Sequence, residues 1–289
     1  MNINIQILTY NSSKDLGLFL RSLPSVKLGD NSLFLHFVDQ SENKKELNRT
    51  REIIEEGKKK LPEEITIELL EQPNYGFGKG HNEIYKRDKT KYGDFFVILN
   101  PDSFLMYDTI LQMVQYLNSV KDLNWGLLEM EQFPNEHPKY YDPKTLETPW
   151  ASGAGLVINT KAFESVGLFD ENIFMYGEDV DLSASMRKNN YKVLHMPACE
   201  FVHLTTDTDI SEPSDFVFNH KQAAELYIRY KHGKESDVEH FDEILKANSR
   251  NYDEIKKMYS SMISEKPDRK LLRDFIAEDQ DYTKFRWTL

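Results

Sequence analysis

Asp102 lies in "LNPDS", where an apolar, strand-like run stops abruptly on Asn-Pro-Asp. Proline cannot extend a central strand, so Pro101 ends the ladder and sets the turn that aims the Asp102 carboxylate out of it. A second carboxylate stands in "YGEDVDLSASMRKN", the start of an expected helix. There Glu178 and Asp181 share a face and, as acidic residues in a first turn, complement the helix dipole, whereas Asp179 projects in another direction and can reach a cleft. His203, in "CEFVHLTTD", completes the set. A lone histidine is structural more often than a ligand, and on the residues alone both readings stay open. The segment "NYGFGKGHN" carries Gly76, Gly78 and Gly80, but His81 stands where the dinucleotide fingerprint needs its third glycine. It reads as a glycine-rich turn into a helix, suited equally to close backbone approach by a ligand or to a tight turn.

These groups must be carried by a scaffold. Strand-like runs cover Ile3 to Leu8, Leu33 to Val38, Ile65 to Leu70, Phe95 to Leu99, Trp125 to Met130 and Gly155 to Ile158, with helical stretches over Asn43 to Lys60, Lys79 to Arg87 and Tyr107 to Ser119. That alternation predicts an α/β domain with a mainly parallel central sheet. Ligands of such sheets sit beyond the carboxyl ends of the strands. The strand ends here, "LTYNSS", "VDQSE", "EQPNYGFGKGHN" and "LNPDS", are polar, small or glycine-rich. After Glu131 comes a Pro- and Tyr-rich loop, "EQFPNEHPKYYDPKTLETPW", long enough to be functional. From about Ser214 the chain reads as charged amphipathic helices without strand signals, which divides it into residues 1–213 and a helical region over 214–289.

The chain has 289 residues and a formal net charge of −12, with 39% hydrophobic and 29% charged residues. Such acidity argues against a nucleic-acid binder, which needs clustered Lys and Arg to displace counterions. No apolar run has the length of a bilayer span. The opening "MNINIQILTY" reads as a first strand and not as a secretion signal, and the single cysteine, Cys199, fits a reducing compartment; the expected location is the cytoplasm.

In this order, "ILTYN", "VDQSE", "NYGFGKGHN", "LNPD", "WASGAGLVI" and "VGLFDENIFMYGEDVDLSASMRKNNYKV" resemble the family 2 glycosyltransferases of the GT-A fold, most closely a bacterial rhamnosyltransferase-like branch that builds surface polysaccharides. The resemblance runs from Met1 to Leu204. It implies a GT-A fold, an α/β domain with a mixed, mainly parallel sheet and a C-terminal helical appendage. Asp39 resembles the carboxylate that accepts a hydrogen bond from the nucleotide base, with Thr9 and Asn11 in the loop lining the nucleoside pocket. Asn74 and Gly76 belong to the segment that closes over the nucleotide, and Lys79 is a candidate for diphosphate contact. "NPD" takes the place of an Asp-x-Asp motif: Asp102 matches its metal-binding aspartate, while Asn100 replaces the first carboxylate and can still hydrogen-bond ribose. Trp150, Ser152 and Gly153 resemble the stretch between donor sugar and acceptor. Asp179 matches the general base, and His203 stands where related enzymes place a histidine on the metal.

The implied reaction is inverting transfer of a sugar from a nucleoside-diphosphate sugar, dTDP-rhamnose before UDP-hexose, to a hydroxyl of a glycan, free or lipid-linked. Mn²⁺ or Mg²⁺ held by Asp102 and His203 would neutralise the charge growing on the diphosphate. The further expectations are peripheral contact with the inner face of the membrane and a homodimer through the C-terminal helices. Two other readings are a non-catalytic nucleotide-sugar or glycan-binding module, for which Asn100 speaks, and a sugar nucleotidyltransferase. The latter would need an early glycine-rich basic loop, and "TYNSSKD" has no glycine.

Overall fold

The computed structural model describes residues 1–135, 139–204, 214–267 and 269. In chain order the elements are β1 Asn2–Thr9, α1 Ser13–Ser22, β2 Ser32–Asp39, α2 Lys44–Lys58, β3 Ile65–Glu71, α3 Phe77–Asp88, β4 Phe95–Leu99, β5 Ser103–Leu105, α4 Thr109–Ser119, β6 Trp125–Phe133, β7 Gly155–Asn159, α5 Thr160–Ser165, α6 Glu178–Lys188, β8 Lys192–His203, α7 Asp215–His232, α8 Glu235–Asn248 and α9 Tyr252–Ser264. The strands form one sheet in the order β3-β2-β1-β4-β7-β6-β8-β5. β3, β2, β1 and β4 run parallel to one another, β7 runs antiparallel between β4 and β6, and β8 runs parallel with β6.

Side chains alternate across each strand, and that alternation builds two cores. Ile3, Ile5, Ile7, Leu33, Leu35, Phe37, Val97 and Leu99 face one way and pack under α1, α2 and α4. Phe96, Ile98, Leu156 and Ile158 face the other way, toward Tyr85 of α3, Phe163 of α5 and Leu182 and Met186 of α6. Helices thus cover both faces, as a largely parallel sheet requires. Beneath α3 the second face is polar: the Gln6 amide donates to the Tyr92 hydroxyl at 2.8 Å and its carbonyl meets His81 Nδ1 at 2.9 Å. Burial pulls His81 down to about 3, so this ring is neutral.

Three elements place the site. β4 ends at Leu99, and the Ser103 N–H donates to the Asn100 carbonyl at 3.2 Å, closing the turn that Pro101 was expected to set. The three residues of β5 then pair antiparallel with β8, Ser103 opposite His203, which brings Asp102 to the end of a strand distant in sequence. β7 pairs antiparallel with β4, Leu99 opposite Gly155, so the stretch preceding β7 meets the same sheet edge. Among the C-terminal helices α7 is the one against the sheet domain. Ala223, Ala224 and Tyr227 share a core with Trp150, Ile173 and Val180, and Lys231 and His232 reach Asp181 of α6 at 2.8 and 2.7 Å. The rest of the 214–289 region, residue 268 and residues 270–289, lies outside the described residues.

Candidate active site

Asp102 and His203 meet: His203 Nε2 lies 3.4 Å from Asp102 Oδ1 and 3.2 Å from Asn100 Nδ2. The imidazole is buried, and its other nitrogen, Nδ1, faces Gln132 Oε1 at 2.9 Å. A carboxamide oxygen can only accept, so Nδ1 donates to it, and Nε2 is the nitrogen left facing the Asp102 carboxylate. Burial pushes the Asp102 carboxyl up, but the neighbouring His203 and Lys14 outweigh this and hold it below its ordinary range. A carboxylate oxygen and an imidazole nitrogen converging in this way, the imidazole braced from behind, fit a divalent cation that takes its remaining ligands from phosphate and water.

The nucleoside end is built from β1 and β2, whose last residues, Thr9 and Asp39, are paired in register. Asp39 is 1% exposed. Its Oδ1 accepts the Ser41 N–H at 2.9 Å, whereas its Oδ2 is buried with no hydrogen-bond partner among the described residues. Such an acceptor is costly unless something donates to it, which is the role the resemblance gives it toward a base. Asn11, at φ +54°, takes the left-handed conformation that asparagine tolerates, and its N–H donates to Ser41 Oγ at 2.8 Å. The Asn74 side chain accepts the Gly76 N–H at 3.1 Å. Gly76 needs to be glycine: its φ is +80°, and a Cβ would lie 2.0 Å from the Phe174 carbonyl oxygen. The "NYGFG" segment is thereby clamped against the loop that leads to Asp179. Lys79, in the first turn of α3, pairs with Glu171 at 3.4 Å.

Asp179 stands in the first turn of α6, partly buried. Its Oδ1 accepts the Val180 N–H at 2.8 Å and its Oδ2 the Gly153 N–H at 3.0 Å. The 150–154 stretch is itself pinned. The Ser152 N–H donates to Glu129 Oε1 at 2.8 Å, the Ala151 N–H to Ser183 Oγ at 3.1 Å, and the Ala154 carbonyl accepts the Asn100 N–H at 3.0 Å. Asp179 and the Asn100–Asp102 turn are therefore attached to neighbouring residues of one short segment. Trp150 is buried, with the Lys139 ammonium 3.9 Å from the centre of its ring.

No protein-family model matches the chain. It is 30% identical over 91 residues to the N-acetylglucosaminyl-diphospho-decaprenol L-rhamnosyltransferase of Mycobacterium tuberculosis H37Rv, covering 32% of this chain and 30% of that protein. It is 23% identical to rhamnosyltransferase WbbL of Escherichia coli K12, over 45% of this chain and 61% of that one. The chain thus spans less than two thirds of the length of these curated relatives. Among solved structures, Staphylococcus aureus TarS matches with a TM-score of 0.54 at 18% identity, over 85% of this chain and 42% of that one. The mannosyltransferase PcManGT of Pyrobaculum calidifontis, in complex with GDP-Man and Mn²⁺, matches at 0.56 and 12% identity, over 91% and 73%. The chain has the fold of these glycosyltransferases, the GT-A fold.

Within this GT-A chain the structure adds residues that sequence reasoning passed over. Glu129, inside the apolar run of β6, is fully buried, ion-paired with the Lys139 ammonium, and holds the Ser152 N–H. Gln132 backs His203 from the same strand. Polar residues interrupting "LLEMEQF" were the available signal. Another convergent group among the described residues, His36, Glu68 and Asp88, has ligand-like spacing. Its carboxylates are already engaged by Lys91, 2.8 Å from Asp88 and 3.5 Å from Glu68, and Arg87, 2.6 Å from Asp88, so it reads as an ion cluster.

Glu178, the neighbour of Asp179, is buried, and desolvation, with the Asp179 charge second, pushes its carboxyl up to about 8. The folded protein therefore keeps this proton at neutral pH, while the unfolded chain releases it near the ordinary glutamate value. Stability from this group is complete below that ordinary value and is lost as pH rises toward 8. Glu178→Gln, permanently neutral, is expected to melt close to wild type at acid pH and several degrees higher at alkaline pH in thermal denaturation. A melting difference independent of pH would show that Glu178 is ionised in the fold.

Proposed function

We propose that this protein is an inverting glycosyltransferase that moves a sugar from a nucleoside-diphosphate sugar, dTDP-rhamnose before UDP-hexose, to a hydroxyl of a glycan acceptor in bacterial surface polysaccharide synthesis. The observation that carries the reading is the attachment of both the Asn100–Asp102 turn and Asp179 to the 150–154 segment, through Asn100 N to the Ala154 carbonyl at 3.0 Å and Gly153 N to Asp179 at 3.0 Å. The first turn suits the diphosphate end of a donor and the second carboxylate the acceptor end.

Asp39 accepts from the base, the Asn74–Gly76 segment lies along the nucleotide, and Asn100 offers its amide to ribose. Mn²⁺ or Mg²⁺, when bound by Asp102 and His203, would stabilise negative charge on the leaving diphosphate. Asp179 takes the proton from the acceptor hydroxyl. The acceptor oxygen then bonds to the anomeric carbon on the face opposite the departing diphosphate oxygen, which leaves with the electron pair of the broken C–O bond. Configuration inverts in one displacement, and no covalent bond to the protein forms.

Relatives support the acceptor class: one is named for an N-acetylglucosaminyl-diphospho-decaprenol substrate. A lipid-linked glycan would be met at the membrane face, and no helix among the described residues is long and apolar enough to cross a bilayer. Pairing of two copies through the C-terminal helices belongs to the same proposal.

The test is incubation with labelled dTDP-rhamnose, UDP-glucose or UDP-N-acetylglucosamine, with an N-acetylglucosaminyl polyprenyl diphosphate as acceptor, with and without Mn²⁺. Label transferred to the acceptor from one donor supports the reading; tight donor binding without transfer to any acceptor would favour the non-catalytic module. Asp39→Ala is expected to weaken calorimetric binding of the matching nucleoside diphosphate roughly 10- to 100-fold, the worth of one hydrogen bond to a charged acceptor. Unchanged affinity would remove Asp39 from the base pocket.

A further inference from the structure

Gln132 is 4% exposed, sits one residue from the end of β6, and turns its Oε1 to His203 Nδ1 at 2.9 Å. Its own Nε2 is buried without a hydrogen-bond partner among the described residues. A half-satisfied buried carboxamide is a poor choice for stability, since a leucine would fill the same space with no polar atom to desolvate. The sheet order explains what the glutamine gains there. β8 lies between β6 and β5, so the His203 ring is met by Gln132 from one side and by Asp102 from the other. Phe201, two residues back along β8, stacks near the ring at 6.0 Å and 29°, which holds the imidazole plane.

We infer that Gln132 is a positioning residue for the divalent cation of this site: by accepting from His203 Nδ1 it fixes the tautomer whose Nε2 is free to ligate, and it aims that nitrogen at the space beside Asp102. The inference rests on the reading of Asp102 and His203 as the cation ligands. Ligating histidines commonly donate their other N–H to a carbonyl or carboxylate, and loss of such a partner weakens metal binding about 10- to 100-fold. A glutamate at 132 would also accept from Nδ1 and would raise the basicity of the ring, whereas a leucine could do neither.

The test is Mn²⁺ affinity, read by electron paramagnetic resonance of free Mn²⁺ in the presence of saturating dTDP, and with UDP if dTDP does not bind, for wild type, Gln132→Leu, Gln132→Glu and His203→Ala. Gln132→Leu is expected to bind Mn²⁺ about 10- to 100-fold more weakly, while Gln132→Glu stays within a few-fold of wild type or binds more tightly. Metal-free nucleotide binding should be the same in both. A merely structural role predicts the opposite order, because burying a new carboxylate disturbs the fold more than leucine does. Wild-type affinity in a folded Gln132→Leu protein, or Gln132→Glu binding as weakly as Gln132→Leu, would overturn the inference. If His203→Ala leaves Mn²⁺ affinity unchanged, the ligand assignment itself fails; if it weakens binding and Gln132→Leu does not, only the role of Gln132 fails.

Discussion

Asp179→Asn is expected to bind the donor as wild type does and to lose transfer by about 10²–10⁴-fold, the usual contribution of a positioned general base. The carboxylate is anchored through both oxygens, Oδ1 to the Val180 N–H and Oδ2 to the Gly153 N–H. Both bonds run to its charged form and keep it aimed while leaving further lone pairs for a substrate proton. An asparagine amide keeps the size but can accept only one of the two N–H groups, and it loses the ability to take a proton. Single-turnover transfer of labelled sugar, set beside calorimetric donor affinity, separates the two effects. An asparagine variant turning over within tenfold of wild type would remove Asp179 from the reaction.

Asp102→Ala should act on the other half of the problem. Without the carboxylate, His203 Nε2 keeps only the Asn100 amide beside it, at 3.2 Å, and the charge that would attract a divalent cation is gone. The metal-dependent part of donor affinity should fall at least about 10- to 100-fold, since even partners that do not touch a metal are worth that much. The metal-free affinity should hold, because the base pocket at Asp39 is untouched. Calorimetry with and without Mn²⁺ reads both numbers, and an unchanged affinity with Mn²⁺ would count against the assignment.

Much of the frame was readable in the sequence. The predicted strands at Ile3 to Leu8, Leu33 to Val38, Ile65 to Leu70 and Phe95 to Leu99 lie within a residue or two of β1, β2, β3 and β4, because each places apolar side chains on at least the face packed under α1, α2 and α4. Pro101 marked the end of β4 for a local reason that survives folding. β5 was invisible: three residues are too short for any periodicity, and what makes "SFL" a strand is its pairing with β8. Of β8, only "YKVLHM" has a strand-like pattern in the sequence. Its pairing shifts between Met196 and Glu200, where Pro197 and Cys199 break the alternation, and it resumes only to deliver Phe201 to His203. Glu129, Gln132 and Lys139 were missed because a buried polar residue in a strand announces its position but not its partner. The pairing of Asp102 with His203 was expected from family resemblance, and no spacing rule yields it.

α6 carries Asp179 on one side and, two residues on, an aspartate turned into the protein. Asp181 is 2% exposed, and although burial disfavours its charge, Lys231 and then His232 of α7 hold its carboxyl far below the ordinary range. Stripping one partner from a buried ion pair is among the most disruptive single changes a protein can suffer. Removing α7 would take away both of its cationic partners and, with Ala223, Ala224 and Tyr227, the apolar cover of Val180, leaving α6 without the packing that holds it in place. Truncating the chain before α7 would thus disturb Asp179, the proposed proton acceptor, from behind, without touching any residue assigned to substrate.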